Sequence, residues 1–408
     1  MQPPLDARYA NEHSHGIIIC RKRSMPDTYT PFEMLEKLIG FNTVSDRSNL
    51  PLIDFVEDYL TQHGVQSKRV YNSTGDKSNL YAHIGPMIEG GVILSGHTDV
   101  VPVEGQDWST DPWTVVEKDG KYFGRGTCDM KGFLAIVLAY VPQMIAADLQ
   151  TPIQIALSYD EEVGCEGVIP MVKELASIMP KAAMCIVGEP SDMKVVTGHK
   201  GGIGFYTEVT GYEVHSSLAH IGVSAVMTAA TLVEWHNKKN EDAVANQDPK
   251  NKFVPPFPTY HVGKIQGGTA GNITAKTCTF INDFRLLPTQ NAEAEAEAYM
   301  AFAAKLDAKI KNIRPEAGIK VTPKFGVPGL RPEEHGAAET LVRRLTGDNS
   351  INVVSYGTEA GHFQAESIST VICGPGSIDQ AHQADEYITV DQYNQGAKFL
   401  RNLISDLS

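Results

Sequence analysis

GVILSGHTDVVP, residues 91–102, joins a short apolar run to polar residues of the kind that bind metals. The run from Gly91 to Leu94 is typical of a strand that is buried on both faces of a sheet. His97 and Asp99 follow within a few positions, just past the carboxyl end of that strand. In open α/β sheets, ligands bind outside the carboxyl ends of the strands. The stretch therefore predicts a sheet whose strand ends carry the functional side chains.

The same arrangement recurs along the chain. Apolar runs end in acidic residues in IQIALSYDEEVG (153–164) and AAMCIVGEP (182–190), and TVICGPGSIDQAHQADEY (370–387) continues to a histidine. In GRGTCDMKG (124–132) an aspartate stands immediately before a predicted helix. Because strand ends of one sheet can converge from distant parts of a chain, we expect these residues to meet. The further candidates are Asp129, Glu161, Glu162, Glu189 and His382.

Helical stretches alternate with the apolar runs, and FLAIVLAYVPQMIAA (133–147) is the longest of the apolar ones. This alternation predicts an α/β domain with a mixed, largely parallel sheet. Near Gly198 the pattern changes to longer strands and two amphipathic helices, and the α/β pattern returns after about Gly329. We therefore expect a catalytic α/β domain formed by residues 27–197 and 326–408. A smaller α+β domain, residues 198–325, interrupts it.

Composition excludes some classes of function. The 408 residues carry a net charge of −14 without a strongly basic cluster, which argues against nucleic acid as a partner. No apolar run reaches the roughly 18 residues that span a bilayer. Six scattered cysteines without CxxC spacing favour reduced thiols in a cytoplasmic protein. Residues 1–26 lack a secretory pattern, and we expect them to form a disordered extension.

Two imidazoles and several carboxylates suit Zn²⁺, and also Co²⁺ or Mn²⁺. Charge balance favours two divalent ions, neutralised by Asp129, Glu162, Glu189 and a hydroxide that acts as the nucleophile. Glu161 would then be free to act as the general base, and Asp99 could accept the second ring N–H of His97. Each residue also has an ordinary interpretation, as a surface histidine, a solvated acidic loop or a turn. The spacing alone leaves both interpretations open.

Taken in order, GHTDVVP, GRGTCDMKG, DEEVG, GEPSD and AHQADE resemble the zinc-dependent family of acetylornithine deacetylase, succinyl-diaminopimelate desuccinylase, aminoacylase and glutamate carboxypeptidase. The resemblance extends from about Thr30 to the end of the chain. It implies a zinc-peptidase-like catalytic domain with an inserted lid and dimerisation domain. It also implies one metal on His97 and Glu189, a second on Glu162 and His382, a bridging Asp129, Glu161 as the base and Asp99 as the residue that orients His97.

The inserted segment carries two further motifs of this family. GYEVHSSLAHIGVSAV (211–226) resembles the lid motif, whose histidine, here His215, stabilises the oxyanion of the tetrahedral intermediate. In dimeric members the partner subunit supplies it, so a homodimer through the lid is implied. GGTAGNITAKTCTFINDFR (267–285) resembles the segment that offers substrate an Asn and an Arg, here Asn272 and Arg285. The alternatives are a helix cap for His215 and a surface salt bridge for Arg285.

Within the family, GPGSIDQAHQADEYI and SYGTEAGHF (355–363) are most similar to the acetylornithine deacetylases. This similarity implies hydrolysis of N2-acetyl-L-ornithine to L-ornithine and acetate, a step of arginine biosynthesis, by a zinc-activated water. Glu359 could then meet the δ-ammonium group, or it could be a structural hydrogen-bond acceptor. Other N-acyl amino acids, succinylated diamino acids and peptides remain alternative substrates. A non-catalytic metal or amino-acid binding protein is a remote alternative, because a binder has no need of Glu161.

Overall fold

The computed structural model describes residues 27–408, so the extension expected at residues 1–26 lies outside the described residues. Ten α-helices and fifteen strands occur in this part of the chain. The strands are β1 (Ser67–Tyr71), β2 (Ser78–Ile84), β3 (Val92–His97), β4 (Val116–Lys118), β5 (Lys121–Phe123), β6 (Ile153–Ser158), β7 (Met184–Pro190), β8 (Val196–His199), β9 (Gly201–Thr210), β10 (Thr259–Gly267), β11 (Thr277–Leu286), β12 (Gly318–Val327), β13 (Asn352–Val354), β14 (Ser369–Gly374) and β15 (Tyr387–Thr389). The helices are α1 (Pro31–Ile39), α2 (Leu50–Gln62), α3 (Lys131–Ala139), α4 (Val141–Ala146), α5 (Val168–Ile178), α6 (Ala225–Ala245), α7 (Ala292–Lys311), α8 (Ala337–Thr346), α9 (Ala360–Ala365) and α10 (Val390–Leu407).

Eight strands form the larger sheet, in the spatial order β1-β2-β6-β3-β7-β14-β8-β13. Its centre is parallel, since β3 pairs in parallel with β6 and β7, and β7 with β14. The β8–β13 pair is also parallel, whereas β1–β2, β2–β6 and β14–β8 are antiparallel. The predicted mixed, largely parallel sheet is therefore confirmed.

Helices cover both faces of this sheet. Along β3, Val92 and Leu94 pack into one hydrophobic cluster, whereas Ile93 between them packs into another. Successive side chains of a strand point to opposite faces, so each face of the strand meets its own core. Every residue of β3 and β6 is buried, which explains why apolar residues are not confined to alternate positions in these strands.

A second sheet of four antiparallel strands, ordered β10-β11-β9-β12, forms the inserted segment. Helices α6 and α7 pack on it around an aromatic core that includes Phe205, Phe284 and Tyr299. The segment predicted as residues 198–325 begins within β8 of the larger sheet and ends within β12. The predicted Ala/Glu-rich helix is confirmed as α7. The lid role and the domain boundaries stay predictions.

A small third sheet has the strand order β15-β5-β4. It pairs β5, just before the GRGTCDMKG loop, with β15, just after the AHQADE segment. Two motifs that are about 260 positions apart in sequence are thereby brought together.

Within residues 27–408, no helix combines the length and the apolar character needed to span a membrane.

Candidate metal centre

The polar residues predicted at strand ends meet at one edge of the larger sheet. His97 ends β3, Glu161 and Glu162 follow β6, and Glu189 stands near the end of β7. These three strands are adjacent and parallel, so their carboxyl ends lie side by side. His382 joins them from the loop that follows β14 and a 3₁₀ turn at Ile378–Gln380. The sheet therefore brings together residues that lie far apart in sequence.

Asp129 lies between the two histidines and contacts each with a different oxygen. Nε2 of His97 lies 3.0 Å from Asp129 Oδ1 and 3.6 Å from Glu189 Oε1. Nε2 of His382 lies 3.2 Å from Asp129 Oδ2 and 2.9 Å from Glu162 Oε2. The site therefore has two halves, each with one imidazole and one glutamate, that share the carboxylate of Asp129.

Burial and crowding of the acids shift their pKa values. Burial raises the pKa of Glu161 to about 8 and also raises the pKa values of Glu162 and Glu189. Burial alone would lower the pKa of His97, but the hydrogen bond with Asp129 and the nearby carboxylates raise it well above its usual value. Without other cations, the cluster must therefore retain protons to limit the repulsion between its carboxylates.

The pKa of the second histidine, His382, is also raised by neighbouring carboxylates. Its hydrogen bonds with Asp129 and Glu162 raise the pKa of His382 to about 10. Burial opposes ionisation of Asp129, yet the hydrogen bonds from His382 and His97 lower its pKa. Without other cations, the carboxylate of Asp129 is therefore stabilised as an anion between two imidazoles that favour their protonated form.

The donor set fits divalent cations. Oε1 of Glu162 and Oε1 of Glu189 are buried and lack a hydrogen-bond partner among the described residues. Buried carboxylate oxygens normally have a partner or a metal. Possible ligand atoms of His97, Glu161 and Glu189 lie within 4.8 Å of one another, as do those of His97, Asp129 and Glu162. Two imidazoles with carboxylates make a mixed nitrogen and oxygen site that suits Zn²⁺ or Co²⁺.

The loop that carries Asp129 is held by a residue whose role the sequence did not reveal. Both carboxylate oxygens of Glu386 accept hydrogen bonds, from the main-chain N–H groups of Gly126, Cys128 and Asp129 at 2.8–3.0 Å and from Arg125 Nη1 at 2.8 Å. Arg125 and Glu386 are each 1% exposed. Only an arginine before Asp129 and an acid four residues after His382 could have suggested this pair.

The contacts of Asp99 differ from the expectation that its carboxylate accepts the second ring N–H of His97. The hydrogen bond of His97 Nδ1 is with the main-chain oxygen of Asp99, at 2.9 Å, and the side-chain Oδ1 lies 3.6 Å away. The Asp99 carboxylate instead accepts from the main-chain N–H groups of Glu161 and Glu162 and from Ser45 Oγ. It therefore links the end of β3 to the acidic loop after β6.

A cleft of about 480 Å³ opens beside the two-histidine cluster. The predicted substrate residue Arg285 lines it, and its Nε lies 3.0 Å from Asp283 Oδ2. Tyr356, which the sequence did not single out, also lines it. All acidic residues of the lining are candidates for the metal centre; the remaining lining residues are mainly apolar or small: Val163, Gly164, Cys165, Phe325, Val327, Gly357, Thr358, Ile378 and Ala381.

His215 and Asn272 lie together on the inserted segment but do not line this cleft. Both are exposed, and the main-chain oxygen of Asn272 accepts from Ser216 N at 2.8 Å. The imidazole Nδ1 of His215 lies 2.8 Å from Ser217 Oγ. A single copy of the chain therefore brings Arg285 to the cleft but leaves His215 and Asn272 outside it.

The structure does not support the hypothesis that Glu359 meets a substrate ammonium group. Glu359 is completely buried where α9 begins, although its neighbours Gly357 and Thr358 line the cleft. Its two oxygens accept hydrogen bonds from Ser95 Oγ at 2.7 Å and Ser158 Oγ at 2.6 Å. Glu359 is therefore a structural acceptor between β3 and β6, which was the alternative interpretation.

Comparison with known proteins identifies the family. The family model described as Peptidase family M20/M25/M40 matches residues 93–406, which is most of the chain. This chain belongs to that peptidase family. An acetylornithine deacetylase from Pasteurella multocida (strain Pm70) is a relative with 32% identity over 384 residues, covering 91% of this chain and 96% of its own. The expected hydrolase acting on amide bonds is confirmed.

Solved structures share the fold. An M20 family metallo-carboxypeptidase from Sulfolobus solfataricus superposes with a TM-score of 0.72 at 18% identity, covering 92% of this chain and 99% of its own. A Bacillus subtilis protein described as a dinuclear metal binding peptidase from the M20 family has a TM-score of 0.61 at 13% identity, with coverage of 92% and 97%. The two-part donor set of this M20 chain agrees with a metal-binding family.

We predict that Glu386→Gln strongly destabilises the protein. The substitution leaves the buried Arg125 guanidinium without its counter-ion, which costs about 3–5 kcal/mol when one partner of a buried pair is removed. Urea denaturation followed by circular dichroism measures the free energy of unfolding. Lys311→Met is the control, because it breaks an exposed pair with Asp307 and should change stability by less than about 1 kcal/mol. Equal effects of the two variants would contradict the structural role of Glu386.

We also predict that metal removal lowers the melting temperature. Cations neutralise the crowded carboxylates, and a metal present at a hundredfold excess over its Kd stabilises the folded state by about 2.7 kcal/mol. Thermal unfolding of chelated and Zn²⁺-reconstituted protein measures the shift. In Asp129→Asn, which alters the shared carboxylate, the metal-dependent shift should be largely lost. A melting temperature that is insensitive to chelation would argue against the metal centre.

Proposed function

We propose that this M20 chain hydrolyses N2-acetyl-L-ornithine to L-ornithine and acetate, the deacetylation step of arginine biosynthesis. The observation that carries the proposal is the pair of imidazole–carboxylate halves that share Asp129 beside the cleft. The acetylornithine deacetylases at 32% identity support the substrate. The reaction adds one water across the amide bond, so the acyl carbon receives the oxygen and the nitrogen receives the proton.

Two divalent ions would be held by this donor set, and we propose Zn²⁺, with Co²⁺ as the alternative. His97 and Glu189 would hold one ion, His382 and Glu162 the other, and Asp129 both. When bound, such ions polarise the amide carbonyl and lower the pKa of a water molecule. The short contacts of Asp129 with both histidines support its bridging role.

Glu161 is the proposed general base. It lines the cleft together with Glu189, and possible ligand atoms of Glu161, Glu189 and His97 lie within 4.8 Å of one another. In this role it takes a proton from the attacking water and returns it to the leaving amine nitrogen. The neighbouring Glu162 contacts His382 instead, so the two adjacent carboxylates are positioned for different tasks.

Arg285 is the proposed partner of the substrate α-carboxylate. Its guanidinium lines the cleft and is about two-fifths exposed, so it can form a bidentate contact. The cleft wall beside it includes Val163, Phe325 and Ile378. This apolar wall favours a second candidate function, deacylation of N-acyl amino acids with neutral side chains, because no carboxylate outside the metal centre faces the cleft among the described lining residues.

The test is release of L-ornithine from N-acetyl-L-ornithine by metal-reconstituted protein, compared with N-acetyl-methionine, N-succinyl-diaminopimelate and a dipeptide. We expect preference for N-acetyl-L-ornithine, loss of turnover with a chelator and recovery with Zn²⁺ or Co²⁺. Glu161→Gln should lower kcat by at least about a hundredfold, since general-base catalysis contributes 10²–10⁴-fold. Preference for N-acetyl-methionine would favour the second candidate function, and preference for the dipeptide would favour a carboxypeptidase.

We further propose that the chain is a cytoplasmic homodimer in which His215 of one copy completes the cleft of the other. The exposed position of His215 outside its own cleft supports this arrangement. The inserted segment also exposes apolar side chains that include Leu218, Met227 and Ile265. Five buried free cysteines in the described part of the chain support a reducing compartment.

Mixing two inactive variants tests the exchange of His215. Glu161→Gln lacks the base, and His215→Ala lacks the group that stabilises the oxyanion, but a mixed dimer contains one intact site. If the two variants are unfolded and refolded together, about a quarter of wild-type activity should return, because half the dimers are mixed and each has one working site. No recovery in protein shown to be dimeric by light scattering would place His215 in its own site.

A further inference from the structure

Cys165 contacts the metal centre, and the proposed reaction assigns it no role. Its Sγ lies 3.1 Å from Oε1 of Glu161 and 3.6 Å from the main-chain oxygen of the same residue. The side chain is only 3% exposed, although it contributes to the cleft lining. Within residues 27–408, the Cys165 thiol provides the one hydrogen bond to the Glu161 carboxylate. The proposed base is therefore held by a single donor.

The conformation of the backbone brings this thiol close to Glu161. The main-chain N–H groups of Gly164 and Cys165 both donate to the carbonyl oxygen of Glu161, at 3.0 Å, so the chain turns back over that residue. Cys165 has a φ of +55°, in the left-handed region that favours glycine. A side chain other than that of glycine is disfavoured in this conformation. Such conformations persist where the surrounding structure and a functional contact require them.

The thiol of Cys165 is suited to donate a hydrogen bond and not to act as a nucleophile. Burial, together with the charge of Glu161, raises the pKa of the Cys165 thiol well above its usual value. The sulfur therefore keeps its proton and offers it to the nearest acceptor, Oε1 of Glu161. The contact leaves Oε2 of Glu161 free of protein donors among the described residues.

We propose that Cys165 is a positioning residue for the hydrolytic reaction. Its S–H group donates to Oε1 of Glu161 and fixes the carboxylate so that Oε2 faces the attacking water. The proposal rests on the proposed function, because that function gives Glu161 its two proton transfers. A carboxylate held in one orientation transfers protons more efficiently than one that rotates between several.

Kinetics of three variants test the proposal. Cys165→Ala removes the donor and should lower kcat about tenfold with little change in KM, the effect of losing one hydrogen bond in the transition state. Cys165→Ser keeps a donor and should retain most of the wild-type kcat. Cys185→Ala is the matched control, because it deletes a thiol that is equally buried, in β7, and should leave kcat unchanged.

Infrared spectroscopy tests the contact independently of turnover. The difference spectrum between wild type and Cys165→Ala isolates the S–H stretching band of Cys165. A hydrogen bond to a carboxylate shifts this band to lower frequency, so Glu161→Gln should move it upward. The band of Cys185, isolated in the same way, should not respond to Glu161→Gln.

The two measurements separate failure of this proposal from failure of the proposed function. An S–H band that Glu161→Gln does not move, or a Cys165→Ala variant with the kcat of Cys185→Ala, would overturn the positioning role. Equal losses in Cys165→Ser and Cys165→Ala would also overturn it. A shifted band with no turnover of any substrate by the wild type would reject the proposed function, and the catalytic role of the contact with it.

Discussion

The hydrogen bonds accepted by Glu386 are the interaction on which the rest of the site depends. Arg125 and three main-chain N–H groups converge on this buried carboxylate, and the last of them belongs to Asp129. Asp129 in turn contacts both histidines, so a displacement of this loop would move the centre of both halves at once. The pairing of β5 with β15 brings the two motifs together, and the ion pair between Arg125 and Glu386 is buried. Loss of either partner would leave a buried charge without its counter-ion, so the pair opposes rearrangement of this loop.

Electrostatics connects the stability of the site to its chemistry. Four carboxylates and two imidazoles converge at the strand ends, and burial raises the pKa values of Glu161, Glu162 and Glu189. Such a concentration of acids is unfavourable in a folded protein unless cations or protons neutralise it. The same crowding that opposes folding of the cation-free site therefore creates affinity for divalent ions. Asp99 limits the disorder of the acidic loop by accepting its main-chain N–H groups, so the carboxylates stay where the cations would need them.

Position in sequence predicted the metal-type residues better than the substrate residues. His97, Glu161, Glu162 and Glu189 lie at or near the ends of the parallel neighbours β3, β6 and β7, so their convergence at one sheet edge follows from fold class. Asp129 and His382 reach the same place from loops. The same reasoning did not predict the position of Glu359. It lies one residue from the cleft lining, but the start of α9 turns it inward onto Ser95 and Ser158. A sequence motif does not reveal on which side of a helix start a carboxylate will point. That Arg285 lines the cleft of its own chain while His215 lies outside it is likewise not encoded in any local pattern.

The amino-acid sequence by itself determined the mixed α/β sheet, the inserted antiparallel segment and the set of residues at the strand ends. These features depend on local regularities, since burial on both faces makes strands continuously apolar and functional residues follow their carboxyl ends. Tertiary structure alone decided that Asp99 binds the acidic loop, that Glu386 holds the Asp129 loop and that Cys165 lies against Glu161. The physical reason is that a hydrogen bond depends on distances within about 0.5 Å and on the direction of its donor. Only the packed chain fixes such distances between residues that are remote in sequence.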